Sequence, residues 1–152
     1  MEKAFQDYYA DRFSHCYGCG RLNPDGLQLK SYWDGDETIA RFMPRPEHSG
    51  GVPDHVYGGL IASLLDCHGT ASAAAFACRA ANCEMSSVTP PDRFVTASLR
   101  VDYLRPTPMG MELTIKGRLR SIDGRKVRLD LSLSAHGEVC VRGEMLAIRY
   151  VE

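Results

Sequence analysis

The residues with the greatest chemical reach lie in the run Val56-Tyr57-Gly58-Gly59-Leu60-Ile61-Ala62-Ser63-Leu64-Leu65-Asp66-Cys67-His68-Gly69-Thr70-Ala71. Asp66 is a carboxylate among apolar residues, and burying such a group alone is costly, so it must be hydrogen-bonded, paired or functional. Its neighbours are small and apolar rather than charged, which favours function over a solvated helix-face acid. Gly58 and Gly59 stand where a helix starts. Free amides there, with no Cβ in the way, can donate to a developing oxyanion, although a plain tight turn also explains the pair. Thr70 lies one turn beyond Asp66, where its hydroxyl can bond the carboxylate, a water held by it, or its own helix carbonyl.

Two further groups carry weaker signals. Cys16-x-x-Cys19, with His15 beside it, is half of a zinc pattern, but a structural zinc takes four ligands and no second pair is spaced like the first, so no metal is expected. Arg118, Arg120, Lys126 and Arg128 share a strand pair, and Arg105 ends the preceding strand, so these are the candidates for binding phosphates. A solvated sheet face is the competing reading for the strand-pair group, and the favoured one.

The elements that must position these groups follow from periodicity. Residues 1–26 read as a short helix over 1–14, with Phe5, Tyr9 and Phe13 in one stripe, followed by turns at Gly18, Gly20 and Asn23-Pro24-Asp25-Gly26. Strands are expected over Leu27 to Trp33 and Glu37 to Met43, a loop over Pro44 to His55, and one long helix from Gly59 to Arg79. Four strands then follow as a meander, with Val95, Ala97, Leu99, Val101 and Tyr103 on one face of the first. Met111, Leu113, Ile115 and Leu119 share a face of the second, and Val127, Leu129, Leu131 and Leu133 of the third, with the fourth over Val139 to Arg149. An antiparallel sheet with one face on the helix is the economical packing.

On a helical wheel Leu60, Ile61, Leu64, Leu65, His68, Ala71, Ala75 and Cys78 face the sheet, which makes His68 a satisfied core histidine rather than a catalyst. Ala62, Ser63, Asp66, Thr70, Ala73 and Ala77 lie opposite, small enough for another backbone, subunit or ligand to approach. At Ile122-Asp123-Gly124 a two-residue loop would set Arg120 across from Val127 and mix polar with apolar faces. A three-residue loop with Gly124 left-handed opposes Ser121 to Arg125, Arg120 to Lys126 and Arg118 to Arg128, and is the register expected.

The chain has 152 residues, enough for one domain over 1–152 but not two. A net charge of −1 offers no general attraction to nucleic acid or anionic membrane, and neither is expected as a partner. The apolar run Leu60 to Cys78 is interrupted by Asp66, His68 and Thr70, and the acidic N-terminus does not read as a signal peptide. Six irregularly placed cysteines read as reduced thiols of a cytoplasmic protein.

Cys16-Tyr17-Gly18-Cys19-Gly20, Asn23-Pro24-Asp25-Gly26-Leu27, Pro44 to His48, Gly58-Gly59, Leu64-Leu65-Asp66 and Val101-Asp102-Tyr103-Leu104-Arg105-Pro106-Thr107 together resemble the hotdog-fold thioesterase superfamily, in its phenylacetic-acid-pathway-like and 4-hydroxybenzoyl-CoA thioesterase-like branch. The resemblance implies an α+β fold with a long central helix wrapped by about six mostly antiparallel strands. It also implies a homodimer or dimer of dimers with sites at the subunit interface, acting on acyl-CoA with no cofactor beyond the coenzyme A of the substrate. Carried over, the helix acid that serves as general base or nucleophile is Asp66, and the amide that polarises the thioester carbonyl is that of Gly59, with Gly58, Tyr57 and Thr70 around them. Many members have His before the glycine pair where this chain has Tyr57, and a phenol is a poor base at neutral pH. That substitution motivates the alternative of a non-catalytic acyl- or aryl-CoA binding module on the same fold.

Overall fold

The computed structural model describes residues 2–152. Strands β1 (Ser31–Asp34) and β2 (Glu37–Phe42) precede helix α1 (Gly58–Ala80), and β3 (Phe94–Tyr103), β4 (Leu113–Asp123), β5 (Lys126–Ala135) and β6 (Glu138–Arg149) follow it. All pair antiparallel in one sheet of order β1-β2-β4-β5-β6-β3. The sheet wraps α1, whose Leu64 and Leu65 are fully buried with Leu113, Ile115, Val127 and Leu133. Truncating any one of these to alanine costs about 2–5 kcal/mol. By length and composition α1 could cross a membrane, yet 78% of its most apolar window is covered by the rest of the chain, as befits a core helix.

The expected meander is corrected in one respect: β3 does not lie beside β4. The segment after β3 crosses the start of α1, where the Val56 amide donates to the Thr107 carbonyl and the Met109 amide to that of Asp54. This carries β3 to the open edge beside β6 and leaves β2 next to β4.

The N-terminal stretch is also different from the expected helix. It forms two short 3-10 turns, Phe5–Tyr8 and Asp11–Phe13, with the backbone extended at Tyr9. Residues 27–30 are not strand. Gln28 is left-handed at φ 57°, and the Leu27 and Leu29 amides donate to the carbonyls of Tyr17 and Gly18 instead of to a sheet partner. The 44–55 loop contains one more 3-10 turn, Pro46–His48.

The β4–β5 turn is tighter than expected. Asp123 pairs with Lys126, leaving Gly124 and Arg125 as a two-residue loop with Gly124 at φ 59°. The face-mixing this creates is cured by a bulge at Arg120, between the pairs Leu119–Leu129 and Ser121–Arg128. Arg118 consequently faces Asp130 rather than Arg128, so opposite charges replace the like charges of the expected register.

The expectation that all six cysteines are reduced is corrected at Cys78 and Cys83, which form a disulfide with Cα atoms 5.1 Å apart. The cause is the end of α1. Asn82 is left-handed at φ 53°, the Cys83 amide donates to the Cys78 carbonyl and the Asn82 amide to that of Arg79, which is a Schellman termination. That motif brings the side chains of its third-from-last and second-following residues together, and here both are cysteines.

Candidate active site

The start of α1 is held from both sides. Tyr57 is the N-cap, its amide donating to the His48 carbonyl at 2.8 Å. The Leu60 and Ile61 amides turn back to the Tyr57 carbonyl, while those of Gly58 and Gly59 have no acceptor among the described residues. The Tyr57 ring lies over Gly59, where an added Cβ would come within 2.5 Å of ring carbons, so a side chain there would have to push the exposed ring aside. From β3, the Tyr103 hydroxyl donates to the Gly58 carbonyl at 2.6 Å. Burial, and then the nearby Tyr57, push the Tyr103 phenol above its ordinary pKa, keeping it a donor.

Asp66 is half-buried, on a stripe with Gly59, Ala62 and Ser63 that the sheet leaves partly uncovered. Its carboxylate accepts a hydrogen bond from the Thr96 hydroxyl of β3 at 2.5 Å. Thr96 was invisible to alternation, which put Val95 and Ala97 on the face of Leu99. A bulge between Thr96 and Ser98 reverses the phase, so that Thr96 pairs with buried Ala147 and turns its side chain to the helix. Thr70 takes the local alternative, its hydroxyl 3.3 Å from each of the Asp66 and Cys67 carbonyls and directed at the backbone rather than the carboxylate.

Asp66 lies seven positions after Gly59, which is about 10 Å along a helix axis. They share a face of α1, yet one carbonyl group cannot meet both within a single chain.

Beside the glycines is a cavity of about 390 Å³ lined by Val56, Gly58, Ile61, Tyr103, Arg105 and Thr107, among others. Thr107 is buried, and its hydroxyl has no hydrogen-bond partner among the described residues. Such a group needs a water or a ligand atom. Arg105, at the rim, contacts Glu138 at 3.0 Å with about half its side chain exposed.

The other candidate arginines lie on the outer, helix-distant face of the sheet. Arg118 meets Glu37 at 2.8 Å, and Arg120 meets Asp130 at 2.5 Å and Glu144 at 3.3 Å. Arg128 is exposed on that same face with Arg100 and Arg120 near it. The structure thus brings Tyr57, Gly58, Gly59 and Arg105 together and sets Arg118, Arg120 and Arg128 apart from them.

His68 is fully buried, its Nδ1 2.8 Å from Ser31 Oγ and its Nε2 3.1 Å from Thr38 Oγ1. Thr38 continues to Ser72 at 2.6 Å, and Gln6 donates to Ser31 at 3.0 Å. Burial pushes its pKa down to about 4, so the ring is neutral at physiological pH, a core histidine as its place on the wheel implied.

Residues 54–141 match the model of a family described as the thioesterase superfamily. Among solved structures, a thioesterase superfamily protein from Shewanella loihica PV-4 is 48% identical at a TM-score of 0.70, over 94% of this chain and 100% of that one. The E. coli PaaI protein from the phenylacetic acid degradation operon is similar in fold alone, 15% identical at a TM-score of 0.65, over 82% of this chain and 81% of that one. Acyl-coenzyme A thioesterase THEM4 of Xenopus laevis is 28% identical over 110 residues, 72% of this chain, and the chain spans 43% of that protein's length.

Proposed function

The chain belongs to the thioesterase superfamily and carries its hotdog fold, and from that premise we propose that it hydrolyses acyl-CoA thioesters to free acid and coenzyme A at sites shared between two copies of the chain. The observation that carries this reading is the stripe on α1 where free Gly58 and Gly59 amides and the Thr96-bonded Asp66 carboxylate share a face about 10 Å apart. A second α1 running antiparallel across that stripe of small residues brings the Asp66 of one copy to the Gly59 of the other. The open edge of β3, most of whose residues are exposed, is the surface through which the two copies join.

At such a site the thioester oxygen accepts from the Gly59 amide, and Asp66 takes a proton from water as its oxygen bonds the carbonyl carbon. The charge that develops on the carbonyl oxygen rests at the positive end of the helix dipole. Collapse of the tetrahedral intermediate breaks the carbon–sulfur bond, and the coenzyme A sulfur leaves with the proton Asp66 had taken. Tyr57 packs its ring against Gly59, Tyr103 fixes the orientation of the Gly58 peptide, and Thr107 offers its hydroxyl to the bound ester or a bound water. Arg105 is the guanidinium best placed for a coenzyme A phosphate, being at the rim of the same cavity.

Release of free thiol across short, medium, long and aryl acyl-CoAs tests the reading. Turnover of at least one class, lost in Asp66→Asn, is expected. Full rate in Asp66→Asn removes the role assigned to that residue, and saturable binding with no turnover of any class converts the protein into a CoA-ester binding module.

A further inference from the structure

Three cysteine sulfurs that the hydrolytic site does not use converge behind it. Cys16 and Cys19 come from the N-terminal turn and Cys67 from the middle of α1, and their Sγ atoms all lie within 4.8 Å of one another. Cys16 and Cys67 are 3.7 Å apart at sulfur. A tetrahedral zinc with Zn–S bonds of about 2.3 Å sets its sulfurs about 3.8 Å apart. The third ligand was beyond the reach of spacing arguments, since Cys67 stands far along the chain from the Cys16-x-x-Cys19 pair.

The surroundings are shaped around the sulfurs. Gly18 presses its backbone on Cys67, where an added Cβ would lie 2.2 Å from the sulfur, and Gly20 folds so tightly that its amide donates to the Cys16 carbonyl at 2.7 Å. Cys19 and Cys67 are buried, whereas Cys16 is partly exposed, which leaves a fourth position to solvent.

We infer that Cys16, Cys19 and Cys67 bind one Zn²⁺, with water as the fourth ligand, fastening the N-terminal segment to α1 at the residue that follows Asp66. Binding releases the three thiol protons to solvent and oxidises nothing.

The full chain, kept reduced, is to be titrated with Zn²⁺ and, as a spectroscopic stand-in, Co²⁺. Uptake of about one equivalent per chain, with thiolate-to-cobalt charge-transfer absorption and the d–d bands of a tetrahedral ion, is expected. Cys19→Ser and Cys67→Ser are expected to lose that uptake, while Cys83→Ser and Cys140→Ser retain it. Because a cysteine variant can simply fail to fold, the wild-type chain is also alkylated with iodoacetamide and mapped by mass spectrometry, where Zn²⁺ must protect Cys16, Cys19 and Cys67. Uptake no greater than in Cys19→Ser, alkylation unaffected by Zn²⁺, or recovery of Cys16 joined to Cys67 as a disulfide from freshly reduced protein each overturns the inference.

Discussion

The Thr96 hydroxyl of β3 donates to the Asp66 carboxylate of α1 at 2.5 Å, tying the edge strand to the only acid on the uncovered stripe of the helix. A hydrogen bond to a charged group contributes about 1.5–3 kcal/mol, and here it also fixes the direction of the carboxylate lone pairs. Thr96→Val is therefore expected to lower kcat roughly tenfold or more with little change in KM, and Thr96→Ser to restore most of the rate. Steady-state thiol release on the best acyl-CoA checks this. A Thr96→Val enzyme with unchanged kcat removes Thr96 from the site.

Tyr57 and Gly59 make a second pair whose coupling can be measured. Any Cβ at position 59 meets the Tyr57 ring within 2.5 Å, so Gly59→Ala must swing the phenol off the helix start or displace the amide. Hydrolysis by Gly59→Ala is expected to fall at least tenfold, the scale of losing one oxyanion donor being roughly a hundredfold. In Gly59→Ala with Tyr57→Ala the clash is gone, and part of the rate should return. Strict additivity of the two single effects would show that the ring and the amide act independently.

The arginines divide by what they already hold. Arg118 and Arg120 face Glu37, Asp130 and Glu144 on the outer sheet face, whereas Arg105 borders the cavity next to Gly58. Arg105→Ala is expected to raise KM for acyl-CoA without altering kcat, and to do so less at high salt. Arg118→Ala and Arg120→Ala should leave KM within about twofold, as exposed ion pairs on a remote face would. A KM effect that is larger for Arg120→Ala than for Arg105→Ala would move the phosphate site to the outer face.

Much of this geometry was legible in the chain. The wheel position of Asp66 and the alternation in β4 and β5 follow from a period that the packing obeys, but the open face of α1 does so only as far as Asp66: every residue from Cys67 to Phe76 is buried, Thr70 and Ala73 of the expected open face included. What escaped were breaks in period. The bulge at Ala97 turned Thr96 inward, and the bulge at Arg120 allowed a two-residue turn where unbroken alternation demanded three. Thr107 and the Cys67 sulfur were missed for a different reason, because their significance lies in what distant segments bring beside them. The Cys78–Cys83 bridge had a local signal, an Asn just beyond the end of an apolar helix with a cysteine on each side.

His68 gives the fold a pH dependence of definite sign. Its folded pKa of about 4 lies below the ordinary 6.5, so between these values the unfolded chain binds a proton that the folded chain refuses. The stability it supports is fully present above about pH 6.5 and is lost as pH falls toward 4, amounting to about 3 kcal/mol. Urea midpoints from pH 7.5 to 4 should therefore drop more steeply in the wild type than in His68→Gln, which keeps hydrogen-bonding groups but does not titrate. Parallel curves for the two proteins would show that the Ser31–His68–Thr38 network does not resist protonation.

The separation of Gly59 from Asp66 on one helix makes a prediction about mixtures. If each site takes its amide from one copy and its carboxylate from the other, Gly59→Ala and Asp66→Asn damage opposite halves of every site. In a mixed dimer the undamaged Gly59 of one chain then meets the undamaged Asp66 of its partner, so one site of two is whole. Chains exchanged to random pairing give half mixed dimers, and activity is expected to recover to about a quarter of wild type from two nearly inactive parents. Sedimentation of the same samples at low and high concentration would establish that dimers are present during the assay. Dimers that exchange fully yet recover no activity would mean that the amide and the carboxylate act within one chain, and the shared site would have to be abandoned.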